Sequence, residues 1–175
     1  MSITVKSRSS IRNYLKPSAR DSEKRRRNRC CGAIDELISQ MGFARSICPD
    51  GEVRERIKAL QLHLYRVGAV VAAPPGAKNL ARKISPALMD AVKAEIHRVK
   101  CVPGVLRDGS LFWELPAAAA LDIARTISRR AERDARRLID KGELSDKFIP
   151  LYLNRLTDLL WLLGRLIESR WSIDS

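Results

Sequence analysis

The sequence predicts an all-α fold, a five-helix bundle, on three observations. From about Cys31 onward the apolar residues recur every three or four positions instead of alternating, which is the period of helices and not of strands. The clusters Pro49-Asp50-Gly51 and Pro74-Pro75-Gly76 fall between periodic runs, where they stop helices. No pair of strand-like, alternating runs flanks a hairpin turn. At 175 residues the chain fits one domain with a single core.

The first helix is read from about Cys31 to Ile47, with Ile34, Leu37, Ile38, Met41 and Ala44 on one stripe, and Pro49-Asp50-Gly51 ends it. The second, about Glu52 to Ala73, aligns Val53, Ile57, Leu60, Leu64, Val67 and Val71 before Pro74-Pro75-Gly76. Ser85 followed by Pro86 reads as an N-cap with proline at the first helical position, opening a third helix that carries Leu88, Met89, Val92, Ile96 and Val99. Residues 100–115 read as a loop. Pro116 opens the fourth helix, whose inner side holds Ala117, Ala120, Leu121, Ala124, Ile127, Ala131, Ala135 and Leu138; alanines there permit close packing. The last helix, from about Ser145 to Trp171, is apolar nearly all round, from Phe148, Ile149 and Leu151 to Leu166 and Ile167. Such a helix is expected to be the centre of the bundle or a subunit contact.

Lys and Arg number 33 against 20 Asp and Glu, a formal charge of +13, which favours anionic partners. Residues 1–29 carry ten of the cations and two acids. They are therefore read as a basic N-terminal arm preceding a helical domain over residues 30–175. Cys30, Cys31, Cys48 and Cys101 follow no CxxC pattern, and His63 and His97 stand far apart, so neither a zinc site nor a disulfide framework is indicated. With no secretory leader pattern, a cytoplasmic location is expected, or the mitochondrial matrix in a eukaryote, since the first twenty residues are acid-free and rich in Ser and Arg. The greasiest stretch, Leu159 to Gly164, is far shorter than the roughly 18 residues of a membrane span, and no membrane partner is expected.

Arg125, Arg129, Arg133 and Arg136 or Arg137 recur at helical spacing on the fourth helix, opposite the alanines. Cations on one stripe repel each other, and Asp122, Glu132 and Asp134 offset only part of that repulsion. Guanidinium forks match phosphate oxygens, so a polyphosphate is a natural guest; a solvated basic face with surface ion pairs is the alternative. Asn154 and Asp158 interrupt the apolar last helix and are expected to be buried with partners, because a buried polar group left unpaired costs about 1–3 kcal/mol. Neither a nucleophile signature nor a glycine-rich phosphate loop is found.

The order of segments resembles the PduO-type ATP:cob(I)alamin adenosyltransferases. Gly32-Ala33-Ile34-Asp35-Glu36-Leu37 with Gly42-Phe43-Ala44 is similar to that family's first-helix signature, and Leu60-Gln61 with Val67-Gly68-Ala69 to its second. Ala124-Arg125-Thr126 running into Arg129-Arg130-Ala131-Glu132-Arg133, and Leu153-Asn154-Arg155-Leu156-Thr157-Asp158, are the most specific matches. The resemblance implies a homotrimer of five-helix bundles with ATP and a cobalamin-type corrinoid held between subunits. It implies attack of cob(I)alamin on the 5′ carbon of ATP, with Mg²⁺ accompanying the phosphates and triphosphate leaving. In that reading Arg129, Arg130, Glu132, Arg133 and Asn154 contact ATP, Asp35 pairs with Arg125 across a subunit boundary, and a cobalamin-dependent acceptor enzyme takes the product.

Two family loops are altered. The ATP loop is reduced to Lys6 and Ser7 in Val5-Lys6-Ser7-Arg8-Ser9-Ser10, followed by Arg20 and Lys24, and the family's glycines are replaced. Charge is then the arm's means of binding phosphate. Before the fourth helix, Leu111-Phe112-Trp113 takes the place of the corrinoid-facing loop. Two other readings follow: a diverged homologue that binds nucleotide or corrinoid with weak turnover, and a basic nucleic-acid module using Arg25 to Arg29. The second is disfavoured by the absence of interleaved aromatics.

Overall fold

The structure, a computed structural model, describes residues 19–73, 84–106 and 114–171. They form five helices and, among the described residues, no strand: α1 (Ala19–Ser46), α2 (Gly51–Ala72), α3 (Pro86–Lys100), α4 (Pro116–Asp140) and α5 (Phe148–Trp171). α4 packs most extensively on α5 and then on α1, α1 also lies on α2, α3 lies on α5, and a thinner contact joins α2 to α5. All five expected helices are present.

Local chemistry explains where they begin and end. Asp50 caps α2 by accepting from the Val53 amide at 3.0 Å, and Ser85 caps α3 by accepting from the Leu88 amide at 3.3 Å, with Pro86 at the start. α4 has no side-chain cap of its own. Instead Glu168, one turn from the end of α5, accepts from the amides of Glu114 (3.1 Å) and Leu115 (2.9 Å), placing a carboxylate at the positive end of the α4 dipole. α4 closes on Gly142 at φ 70°, with Gly142 donating to the Ile139 carbonyl (2.9 Å) and Glu143 to that of Leu138 (2.8 Å). That paired geometry needs a left-handed residue, which glycine adopts without steric cost.

The core sits where α4, α5 and α1 meet. Ala124, Ala131 and Ala135 are wholly buried, and their small side chains let α4 approach Ile34, Leu37 and Met41 on one side and Leu153, Leu156 and Leu160 on the other.

Two expectations are corrected. α1 begins at Ala19, not near Cys31, because two arginines of the basic segment are fixed in the bundle. Buried Arg27 donates to the carbonyls of Val71 (2.7 Å), Ala73 (2.9 Å) and Glu143 (2.6 Å) and pairs with Glu23. Arg26 grips Glu143 through two hydrogen bonds. Charge alone does not distinguish an arginine that holds carbonyls from one that faces water. The last helix is also not apolar all round. It starts at Phe148, and Phe148, Leu151, Asn154, Arg155, Asp158 and Trp161 lie exposed along one stripe. Asn154 and Asp158 are thus surface residues within the chain, and Asp158 pairs with Arg155 at 3.3 Å.

Candidate functional site: the arginine face of the fourth helix

At 3.6 residues per turn, Arg125, Arg129, Arg133 and Arg136 fall within an arc of about 80°. That arc is the outer face of α4, opposite its buried alanines. It lies between α1, where Arg130 pairs with Glu36, and α5, where Glu132 meets Asn154.

The structure sorts these cations into paired and unpaired ones. Arg125 donates to Asp122 at 2.7 Å, Arg136 makes two hydrogen bonds to one Glu132 oxygen (3.0 and 2.7 Å), and Arg137 donates to Asp134 at 2.9 Å. Arg129 and Arg133, one turn apart and both exposed, have no side-chain partner among the described residues. Two like charges at that spacing destabilise a helix unless an anion sits between them. The surroundings are ordered: Glu132 is held by Arg136 through one oxygen and receives the Asn154 amide on the other at 3.4 Å.

Ser128, which sequence reasoning did not single out, fixes the register of this face. Fully buried, it donates to the Leu153 carbonyl at 3.0 Å, and Thr157 donates to the same oxygen at 2.9 Å. The carbonyl immediately before Asn154 is therefore tied to α4, which sets Asn154 opposite Glu132. A hydroxyl within the alanine stripe was the available signal.

Of the other expected site residues, Asp35 is exposed on α1 and is not joined to Arg125 within the chain, whose partner is Asp122. Arg20 and Lys24 are exposed on the first turns of α1. Pairings of α1 with α4 run antiparallel, Cys30 to Ala131 and Gln40 to Ala120, so Arg20 and Lys24 lie beside the C-terminal end of α4. Lys6, Ser7, Leu111, Phe112 and Trp113 lie outside the described residues. Among the described residues no group of three or more His, Cys, Asp or Glu side chains is placed to hold a metal ion. No described helix is long and apolar enough to cross a membrane.

Comparison with known proteins gives one consistent result. The family model described as cobalamin adenosyltransferase matches residues 14–167. A corrinoid adenosyltransferase of Citrobacter freundii is 33% identical over 142 residues, covering 79% of this chain and 78% of that protein. One from Mycobacterium bovis is 30% identical over 135 residues, covering 75% and 70%. Among solved structures, a variant PduO-type ATP:corrinoid adenosyltransferase from Lactobacillus reuteri, complexed with cobalamin and ATP, superposes with a TM-score of 0.71 at 26% identity, covering 80% of this chain and 78% of that one.

Proposed function

Because the chain belongs to the cobalamin adenosyltransferase family, we propose that the arginine face of α4 is its ATP site, in an enzyme that transfers the 5′-deoxyadenosyl group from ATP to the cobalt of a reduced corrinoid. Co(I) supplies the electron pair that forms the cobalt–carbon bond. The bond between C5′ and the α-phosphate oxygen breaks, that oxygen keeps its pair, and triphosphate leaves. No protein nucleophile is required, in keeping with the lack of a nucleophile motif in the sequence.

The observation that carries this reading is the unpaired state of Arg129 and Arg133 beside an ordered Glu132 and Asn154. Two guanidinium forks on a rigid helix can grip a polyphosphate in the ground state. They can also meet the charge gathering on the leaving oxygens without reorganising. Arg130 is turned toward Glu36, so its part is to tie α4 to α1 next to the phosphates. Glu132 and Asn154 present a carboxylate and an amide for the nucleoside end of ATP or for its metal-bound water. Where Mg²⁺ accompanies the phosphates, Glu132, on the α4 face beside Arg129 and Arg133, would be the carboxylate to hold it or its bound water.

A convex helix face makes half a pocket. The second wall in this proposal comes from a neighbouring copy in a homotrimer, where Asp35 of one chain reaches Arg125 of the next. The exposed Phe148, Leu151 and Trp161 supply apolar surface for assembly. Lys6, Ser7, Arg20 and Lys24 add charge to the phosphate end, and Leu111, Phe112 and Trp113 face the corrinoid. The setting is the cytoplasm, or the mitochondrial matrix in a eukaryote, with a cobalamin-dependent enzyme as acceptor.

The test is incubation of the protein with chemically reduced cobalamin, ATP and Mg²⁺, followed by absorbance. Conversion to the adenosyl form is expected. Thermal stabilisation by ATP or cobalamin without conversion indicates instead the diverged, weakly active homologue that the altered loops favour. Salt-sensitive binding of DNA or RNA with neither effect indicates the nucleic-acid reading.

A further inference from the structure

α4 carries the arginine row and α5 carries Asn154, so a ligand that touches both depends on the register of one helix against the other. Ser128 ties that register. Its side chain is wholly buried in the line of Ala124, Ala131 and Ala135, where an alanine would pack as well and bury no polar group. A serine inside a helix ordinarily turns its hydroxyl to the carbonyl one turn back on its own helix. Ser128 instead donates across the interface, to the Leu153 carbonyl at 3.0 Å.

The Leu153 oxygen shares one rigid peptide plane with the amide nitrogen and Cα of Asn154. A hydrogen bond that fixes the oxygen therefore fixes the point from which the Asn154 side chain leaves α5. That side chain needs a second anchor, because its own link to α4, from Nδ2 to Glu132 Oε2, is 3.4 Å long and weak at that separation. Ser128 and Glu132 lie one turn apart on α4 and meet the consecutive residues Leu153 and Asn154 of α5. Arg129 follows Ser128 and Arg133 follows Glu132, so the same two turns of α4 carry both unpaired guanidinium groups. Thr157 also donates to the Leu153 oxygen, at 2.9 Å, but it does so from within α5 and does not join the helices.

We infer that Ser128 is a positioning residue of the arginine-face site: through the Leu153 carbonyl, its hydroxyl holds Asn154 where the amide reaches ATP gripped by Arg129 and Arg133. The inference rests on the ATP reading of that face proposed above. Ser128 is wholly buried and does not reach the ligand itself, so its effect on binding passes through Asn154.

The test is a double-mutant cycle on the dissociation constant of MgATP, measured by calorimetry on the full chain. Asn154→Ala should weaken binding about tenfold and Ser128→Ala about fivefold. The double variant should match Asn154→Ala alone, because no amide is left to position. A general loosening of the fold by Ser128→Ala predicts losses that multiply instead. Thr157→Val takes a hydroxyl from the same carbonyl without cutting a tie between helices, and it should change the constant by less than about twofold. Multiplying losses in the double variant, unchanged binding in Ser128→Ala, or a loss in Thr157→Val as large as in Ser128→Ala would each overturn the inference while the ATP reading stands. A wild type that does not bind MgATP overturns the ATP reading, and this inference with it.

Discussion

At the scale of single residues, partnership separates the arginines of α4 more than position does. Arg129 has no partner among the described residues, whereas Arg130, next to it in sequence, is engaged by Glu36. Losing a charge-assisted hydrogen bond to an anion costs about 1.5–3 kcal/mol, so Arg129→Ala should raise KM for ATP by about 10- to 100-fold. Arg130→Ala should raise it far less, and steady-state kinetics on the two variants checks the contrast. The thiols separate as sharply. Burial pushes Cys30 up to about 12, while Cys101 is exposed at the end of α3. Timed alkylation of the native protein with mass spectrometry should find Cys101 modified first and Cys30 last, because the thiolate is the reacting species. The guanidinium row could be read from the sequence because i, i+4 spacing projects directly onto a helix face. Which of its members are paired could not, since Glu36 lies 94 positions from Arg130 and Asn154 lies 22 from Glu132.

At the scale of elements, the ends of the helices are held by charges from elsewhere in the chain. The start of α2 meets the end of α5 through Arg170, which donates to Asp50 at 2.7 Å and to Glu52 at 3.0 Å. Burial alone would raise the Asp50 pKa, but the Arg170 hydrogen bond and the Val53 amide outweigh it and hold the group below the ordinary carboxylate value. Glu52 and Glu143 are lowered mainly by their hydrogen bonds to Arg170 and Arg26. For a depressed carboxylate the stabilisation is complete above the unfolded-state pKa, about 4, and is lost as pH falls through the lower folded value. Denaturation midpoints should therefore drop below about pH 4. Asp50→Ala, which removes the cap at a cost of about 1–2 kcal/mol, should flatten that dependence. Arg27→Ala leaves the carbonyls of Val71, Ala73 and Glu143 without their donor and should destabilise the fold by about 2–4 kcal/mol in chemical denaturation. The helices, the cap at Ser85 and the alanine stripe were legible because their signals are local, whereas Asp50 was read only as part of the stop after the first helix and not as the cap of α2. The start of α1 was not, because what extends it is a set of carbonyls 44 to 116 positions away. The exposed stripe of α5 was hidden for another reason: leucines on a helix look alike whether they face the core or a face left open in the single chain.

At the scale of the whole molecule, one bundle presents the arginine row on a convex surface and carries exposed Phe148, Leu151 and Trp161 on the adjacent helix. The proposed homotrimer would answer both features at once. Sedimentation should give three times the 19.7 kDa chain mass, and charge reversal at Asp35 should weaken turnover more than it weakens folding. The central claim is that Arg129 and Arg133 grip the departing triphosphate. It is tested most directly by following triphosphate release from ATP in the presence of cob(I)alamin for the wild type and for the Arg129→Ala/Arg133→Ala double variant. A fall in kcat/KM for ATP of at least about 100-fold, with the fold intact, is the predicted result; an unchanged kcat/KM for ATP in the double variant would contradict it.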